Sequence, residues 1–133
     1  MKKMDFYQCP VEATVSAIGG KWNILIIYHL LKGTRRFGEL KKAIPGITQK
    51  MLTQTLRELE ENHVISRMVY PVVPPKVEYS LTDLGGKLEQ VFDMLCAWGQ
   101  EYIDASDSKA SVEMTPPREF LITGSSSKTP AEG

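Results

Sequence analysis

A chain of 133 residues, 42% of them hydrophobic, carries enough apolar material for one core, so one domain with a peripheral extension is expected. Its longest apolar runs, such as Ile24 to Ile27, fall far short of the roughly 20 residues a membrane span requires, and no apolar stretch follows Lys2 and Lys3 to form a secretory signal; no membrane partner and a cytoplasmic location are expected. Formal net charge is zero, and the two cysteines (Cys9, Cys96) and two histidines (His29, His63) match no zinc spacing; with no acid-base or nucleophile constellation to assemble, neither an enzyme, a metal site nor a cofactor is expected.

Residues 1–10 read as an N-terminal arm. Val11 to Ile18 follows as a short helix with Val11, Val15 and Ile18 on one side, ended by Gly19-Gly20, a C-cap and turn signal. Although Gly19-Gly20-Lys21-Trp22 has the last glycine and lysine of a phosphate loop, it lacks the Ser or Thr that would hold magnesium. Lys21 to Leu31 is a second helix. It sets Trp22, Ile26 and His29 along one ridge, Leu25 and Tyr28 beside it, and Ile24, Ile27 and Leu31 nearly opposite, so it is apolar almost all round and belongs in the middle of the domain. His29 there reads as a hydrogen-bonded core residue rather than a ligand. Lys32-Gly33-Thr34 is an exit turn, and Arg35-Arg36-Phe37 a brief extended bridge. Phe37 to Ile44 is a third short helix with Phe37, Leu40 and Ile44 spaced for burial, and Pro45-Gly46 breaks it sharply.

Thr48 then serves as a plausible N-cap for a helix running to Asn62, with His63 at its end in a C-cap role. At about 100° per residue, Leu56 and Leu59 fall within about 40° of Leu52 and form one stripe to be buried. Lys50, Thr53, Gln54, Arg57 and Glu61 lie on the other side. Lys, Thr, Gln and Arg suit the base edges and phosphates of a DNA major groove, although a solvated helix face is ordinarily polar too. The surroundings favour nucleic acid: residues 32–76 hold nine Lys/Arg against four acids, whereas residues 77–133 hold four against ten. Two helices joined across Ile44-Pro45-Gly46-Ile47 make a helix-turn-helix signature whose second member reads DNA.

After His63 the period becomes alternating. Ile65 to Pro71 and Val77 to Leu81 are a pair of strands, and Val72-Val73-Pro74-Pro75-Lys76 is a stiff loop that should project. Thr82 caps a long helix from Asp83 to about Tyr102. Its apolar positions cover more surface than one small domain can hide, which implies a partner helix; Leu88, Val91, Phe92, Leu95, Trp98 and Tyr102 are the candidate dimer-interface residues. From Asp104 the composition turns to Ser, Thr, Pro, Lys and Glu, and residues 104–133 are expected to be a disordered tail. The fold class that results is mainly α with a small β-hairpin: a winged helix-turn-helix with a long C-terminal dimerisation helix, spanning 11–103.

Cys9-Pro10-Val11, Gly19-Gly20-Lys21-Trp22, Arg36-Phe37-Gly38-Glu39-Leu40, Ile44-Pro45-Gly46-Ile47, Leu52-Thr53-Gln54, Leu56-Arg57-Glu58-Leu59-Glu60 and Pro75-Lys76-Val77-Glu78-Tyr79-Ser80-Leu81-Thr82 stand in this order. Over roughly residues 8 to 102 the chain resembles the HxlR-type bacterial transcriptional regulators, relatives of the MarR group. The resemblance implies a homodimeric, sequence-specific binder of double-stranded DNA, usually a repressor, with its two recognition helices about one DNA turn apart on a pseudo-palindromic operator. Thr53 and Gln54 are the candidates for base contact, and Lys50 and Arg57 for bases or phosphates. Lys76 is the wing contact, Arg67 a further one on the adjoining strand, and Arg36 a phosphate contact unless it pairs with Glu39. The resemblance also implies a sensor cysteine in the position of Cys9, where a helix N-terminus favours thiolate; packing of the arm against the partner is the alternative. Cys96 reads as a buried, inert thiol. A small aromatic or electrophilic effector is a further implied partner, with Trp22, Tyr28, Phe92 and Trp98 as pocket-lining or core residues.

Overall fold

The computed structural model describes residues 6–106; of the tail expected over 104–133, Asp104 and Ala105 instead close the last turn of a helix, and residues 107–133 lie outside the described ones. The elements are α1 (Pro10–Ile18), α2 (Lys21–Leu30), β1 (Arg35–Arg36), α3 (Phe37–Ala43), α4 (Gln49–Glu61), β2 (Ile65–Tyr70), β3 (Lys76–Leu81), α5 (Asp83–Gly86) and α6 (Glu89–Ala105). The chain divides into two compact units, one ending at Gly86 and one beginning at Lys87. This is the expected winged helix-turn-helix class, mostly helical with a small antiparallel sheet.

In the first unit α2 is central. Ile26, Ile27, Tyr28, His29 and Leu30 are all buried, and the helix packs on α3, α4 and β3. The bridge expected at Arg35-Arg36 is a third strand: the sheet has the order β1-β3-β2, antiparallel throughout, with Arg35 opposite Tyr79 and Arg36 opposite Glu78. On α1, only Ile18 of the three expected apolar residues is covered. Val11 is 69% exposed and Val15 is exposed as well, so that ridge is left without a partner in the single chain.

The end of α4 is held by a Schellman motif. Val64 N–H donates to the Leu59 carbonyl and His63 N–H to that of Glu60, both at 3.0 Å. His63 occupies the left-handed position of the motif with φ 62°, where glycine is commonest. Asn62, the residue before it, donates from Nδ2 to the Ala17 carbonyl at 3.2 Å, tying the last turn of α4 to the last turn of α1.

The long helix expected from Asp83 to Tyr102 is two helices. Thr82 does cap, but it caps the four-residue α5: its Oγ1 accepts from Gly85 N–H at 3.0 Å and lies 2.7 Å from the His63 carbonyl and 3.1 Å from that of Val64, to which it donates. Thr82 N–H also donates to the Val64 carbonyl at 3.0 Å. This close approach needs Gly85, because a Cβ there would overlap the Val64 carbonyl oxygen. The glycine pair Gly85-Gly86 then ends α5, and the chain turns through Lys87 and Leu88 before α6 begins.

In the second unit, Val91, Leu95, Trp98 and Tyr102 share one face of α6 and are exposed, Trp98 to 65%. The rings of Trp98 and Tyr102 stack at 5.5 Å with planes 12° apart. Met94, absent from the sequence expectation, belongs to the same exposed stripe. Two interface candidates lie off it. Leu88 is half-buried at the N-cap, and Phe92 is only 2% exposed. Phe92 is therefore a core residue whose surface is already covered, which corrects its assignment to the interface.

His29 also departs from expectation. It is buried, its ring meets that of Tyr28 edge-on at 5.5 Å, and Nε2 has no hydrogen-bond partner among the described residues, so it is not the satisfied core histidine anticipated. Burial first, then the charges of Lys32 and Arg35, hold its pKa below the ordinary histidine value.

Two predictions follow from these packings. Gly85→Ala should lower the urea midpoint by an amount equivalent to about 1–3 kcal/mol, whereas Gly86→Ala, whose Cβ meets nothing within 4 Å, should leave it unchanged or slightly raised; equal effects would refute the close-approach account. Because folded His29 resists protonation more than unfolded His29 does, its contribution to stability is intact above about pH 6.5 and lost as pH falls below that. Wild type should thus lose more stability on acidification than His29→Leu, read from denaturation midpoints on either side of that pH.

Candidate nucleic-acid interface

The turn between α3 and α4 fixes how α4 is presented. Ile44 and Ile47, on either side of Pro45-Gly46, are both buried, and Gly46 takes φ 85°, a conformation that favours glycine. α3 begins where the Glu39 carboxylate accepts the Arg36 backbone N–H at 2.8 Å, so Glu39 engages the backbone of Arg36 rather than its guanidinium. α4 begins with the expected cap, Thr48 Oγ1 accepting from Met51 N–H at 3.1 Å.

The two sides of α4 are sharply divided. Leu52, Thr55, Leu56 and Leu59 are buried; Thr55 joins the stripe because it lies a turn from both Leu52 and Leu59. Lys50, Thr53, Gln54 and Arg57 are exposed and line one continuous surface together with Gln49. Gln49 escaped the sequence reading because its angular position is near the apolar stripe; it is the first helical residue and extends beyond the core that the stripe covers. Glu61, at the other end of the helix, is exposed and is not part of that surface.

The sheet sorts the remaining cations by face, since directly opposed residues in an antiparallel ladder point the same way. Arg67 opposes Tyr79, and the two line a cleft with Thr53, Arg57 and Glu60 of α4. Arg67 thereby joins the α4 surface. Arg36, Lys76 and Glu78 belong to the opposite face of the sheet. Lys76 Nζ lies 3.6 Å from Glu78 Oε2 and 4.8 Å from the centroid of the Tyr70 ring. Of the sequence candidates, then, five converge on α4 and its flank, and two sit across the sheet from them. The loop Val72–Pro75 projects with no charged side chain, and Val73 is 99% exposed.

Both thiols are free. Cys9 is exposed at the N-cap of α1, its carbonyl accepting from Glu12 N–H at 3.0 Å. Cys96 is half-buried on α6, and burial, followed by the nearby Asp93 charge, pushes its thiol pKa up, which disfavours the reactive thiolate. Among the described residues no group of His, Cys, Asp and Glu is arranged to hold a metal ion, and no described helix is long and apolar enough to cross a membrane.

Comparison with known proteins bears on this arrangement. Residues 17–107 match the family model of the HxlR-like helix-turn-helix. The HTH-type transcriptional regulator YtcD of Bacillus subtilis (strain 168) is 57% identical over 98 residues, covering 74% of this chain and 78% of that protein, and the crystal structure of ytcD superposes with a TM-score of 0.68 over 73% of this chain and 99% of its own. The redox regulator HypR in its reduced form, 46% identical, has a TM-score of 0.71 over 74% of this chain and 98% of its own. The reduced form of the transcriptional regulator YodB from B. subtilis, 40% identical, gives 0.62 over 79% and 100%. These relatives are transcriptional regulators. With two thirds of its length under the family model and more than half of the 98 aligned residues shared with YtcD, the protein belongs to the HxlR-like helix-turn-helix family of transcriptional regulators.

Proposed function

We propose that this transcriptional regulator acts as a homodimeric, sequence-specific DNA binder, as a repressor, with α4 as its recognition helix. The observation that carries the reading is the division of α4: its leucines are fully committed to the core, while Lys50, Thr53, Gln54 and Arg57 stand together on one exposed face. Thr53 and Gln54 contact base edges, for which Gln offers paired donor and acceptor atoms. Lys50 and Arg57 reach bases or phosphates, and Arg67 extends the contact across the cleft. Arg36 and Lys76 meet the flanking backbone. A second copy covers the exposed stripe of Val91, Leu95, Trp98 and Tyr102, with Met94 beside them; a free apolar face of this extent supports self-association, and two-fold symmetry then suits a pseudo-palindromic operator in double-stranded DNA.

The signal sensed is an oxidant, a quinone or another electrophile acting through Cys9, or else a small aromatic effector bound without it. Support comes from the exposure of Cys9 at a helix N-terminus and from HypR, a relative described as a redox regulator. A protein-interaction module that has kept the fold without DNA binding is the competing reading, and it predicts no dependence on the α4 face.

On duplex DNA flanking its own gene, the protein should bind with an affinity that falls steeply as salt rises, and the double variant Gln54→Ala, Arg57→Ala should lose at least about tenfold. Wild-type affinity in that variant would overturn the recognition-helix assignment. In the same gel-shift, treatment with diamide or a quinone should release wild type but not Cys9→Ser; identical behaviour of the two would remove Cys9 as the switch.

A further inference from the structure

The face of the sheet that carries Lys76 holds a cluster set apart from the α4 surface. Glu78 is central to it. Along β3 it is two residues from Lys76, and across the ladder it opposes Met68 of β2 and Arg36 of β1. Its carboxylate lies 3.6 Å from Lys76 Nζ, with both side chains partly exposed. The amine is also placed over the Tyr70 ring, 4.8 Å from its centroid, and Tyr70 is the direct ladder partner of Lys76. A hydrogen bond to Glu78, then its charge, raises the pKa of the Tyr70 hydroxyl, as expected if one carboxylate serves both neighbours.

The composition of the hairpin makes this pairing consequential. From Met68 to Glu78 the only cation is Lys76 and the only anion is Glu78. The projecting half of the hairpin is therefore electrically neutral, although the function proposed above sets Lys76 against the DNA backbone. A lysine free at this place would attract any phosphate backbone, whatever its sequence. A lysine paired with a carboxylate has to exchange one partner for another, which cancels most of that indiscriminate attraction.

We propose that Glu78 is a specificity-determining positioning residue: it holds Lys76 against Tyr70 and withholds the amine from DNA in general, so that Lys76 contributes only where a bound operator brings a phosphate to it. The proposal rests on the DNA-binding reading above. It assigns Glu78 no contact with DNA, since its effect passes through Lys76.

The test uses the full chain, a duplex from the DNA flanking its gene, and a scrambled duplex of equal length and composition. Glu78→Gln keeps the size of the side chain and an acceptor for Tyr70 but removes the charge. It should bind scrambled DNA about two- to fivefold tighter, steepen the dependence of log affinity on log salt by about one unit, and gain less on the operator, so that the ratio of operator to scrambled affinity falls. Lys76→Met combined with Glu78→Gln should return the salt slope to that of Lys76→Met alone. If Glu78→Gln leaves scrambled binding and slope unchanged, the proposal is overturned; if the gain persists in the Lys76→Met background, Glu78 acts by general repulsion and the proposal is likewise overturned. Wild type that binds neither duplex would overturn the DNA-binding reading itself, an outcome distinct from an inert Glu78→Gln in a protein that binds.

Discussion

Burial of Leu52, Leu56 and Leu59 is the constraint on which the presentation of this protein depends. A helix offers one stripe at that spacing, and once the stripe is committed to α2 and β2 the opposite side of α4 has no freedom to rotate inward. Turning α4 by half a revolution would bury Lys50 and Arg57 and expose three leucines, at about 1.5–3 kcal/mol for each leucine before the cost of burying charge. The cap at Thr48 and the Schellman motif at Asn62-His63 fix the two ends of the same helix. The exposed face of α4, the proposed recognition surface, is thus held by apolar packing on its far side.

Charge is distributed in a second layer over this frame. The chain as a whole is neutral, yet the sheet separates Arg67, which faces the cleft beside α4, from Arg36 and Lys76 on the other face. Acidic residues are set among these cations: Glu60 lines the cleft with Arg57 and Arg67, and Glu78 sits beside Lys76. Such interleaving keeps the local field modest and leaves discrimination to the placement of individual side chains.

Much of this was legible in the sequence because it follows from periodicity and turn chemistry. The all-round apolar pattern of Lys21–Leu31 marks the central helix, Pro45-Gly46 the turn, and the leucine-free side of α4 its outward face. What was not legible depends on tertiary neighbours. Two arginines cannot announce a strand, and β1 exists because β3 supplies the ladder. The break in the C-terminal helix is signalled only by Gly85-Gly86, and the reason Gly85 is required, the Val64 carbonyl lying where a Cβ would stand, involves a residue twenty-one positions earlier. The apolar character of Phe92 and of Trp98 is alike in sequence, but one is covered and the other exposed. Buried histidines are ordinarily satisfied, whereas His29 is buried near Lys32 and Arg35 with Nε2 unpartnered among the described residues. His63 in a left-handed conformation had no signal beyond its place after Asn62.

The bond from Asn62 Nδ2 to the Ala17 carbonyl links two helix ends that carry quite different chemistry. Cys9 stands at the start of α1, and the proposed recognition surface lies along α4. Both helices are short and stiff, and their final turns share this one polar tether beside the buried Ile18. A displacement of α1 along its axis has to part this bond and leave the Ala17 carbonyl without its Asn62 partner, so one side chain registers the end of α1 against the end of α4.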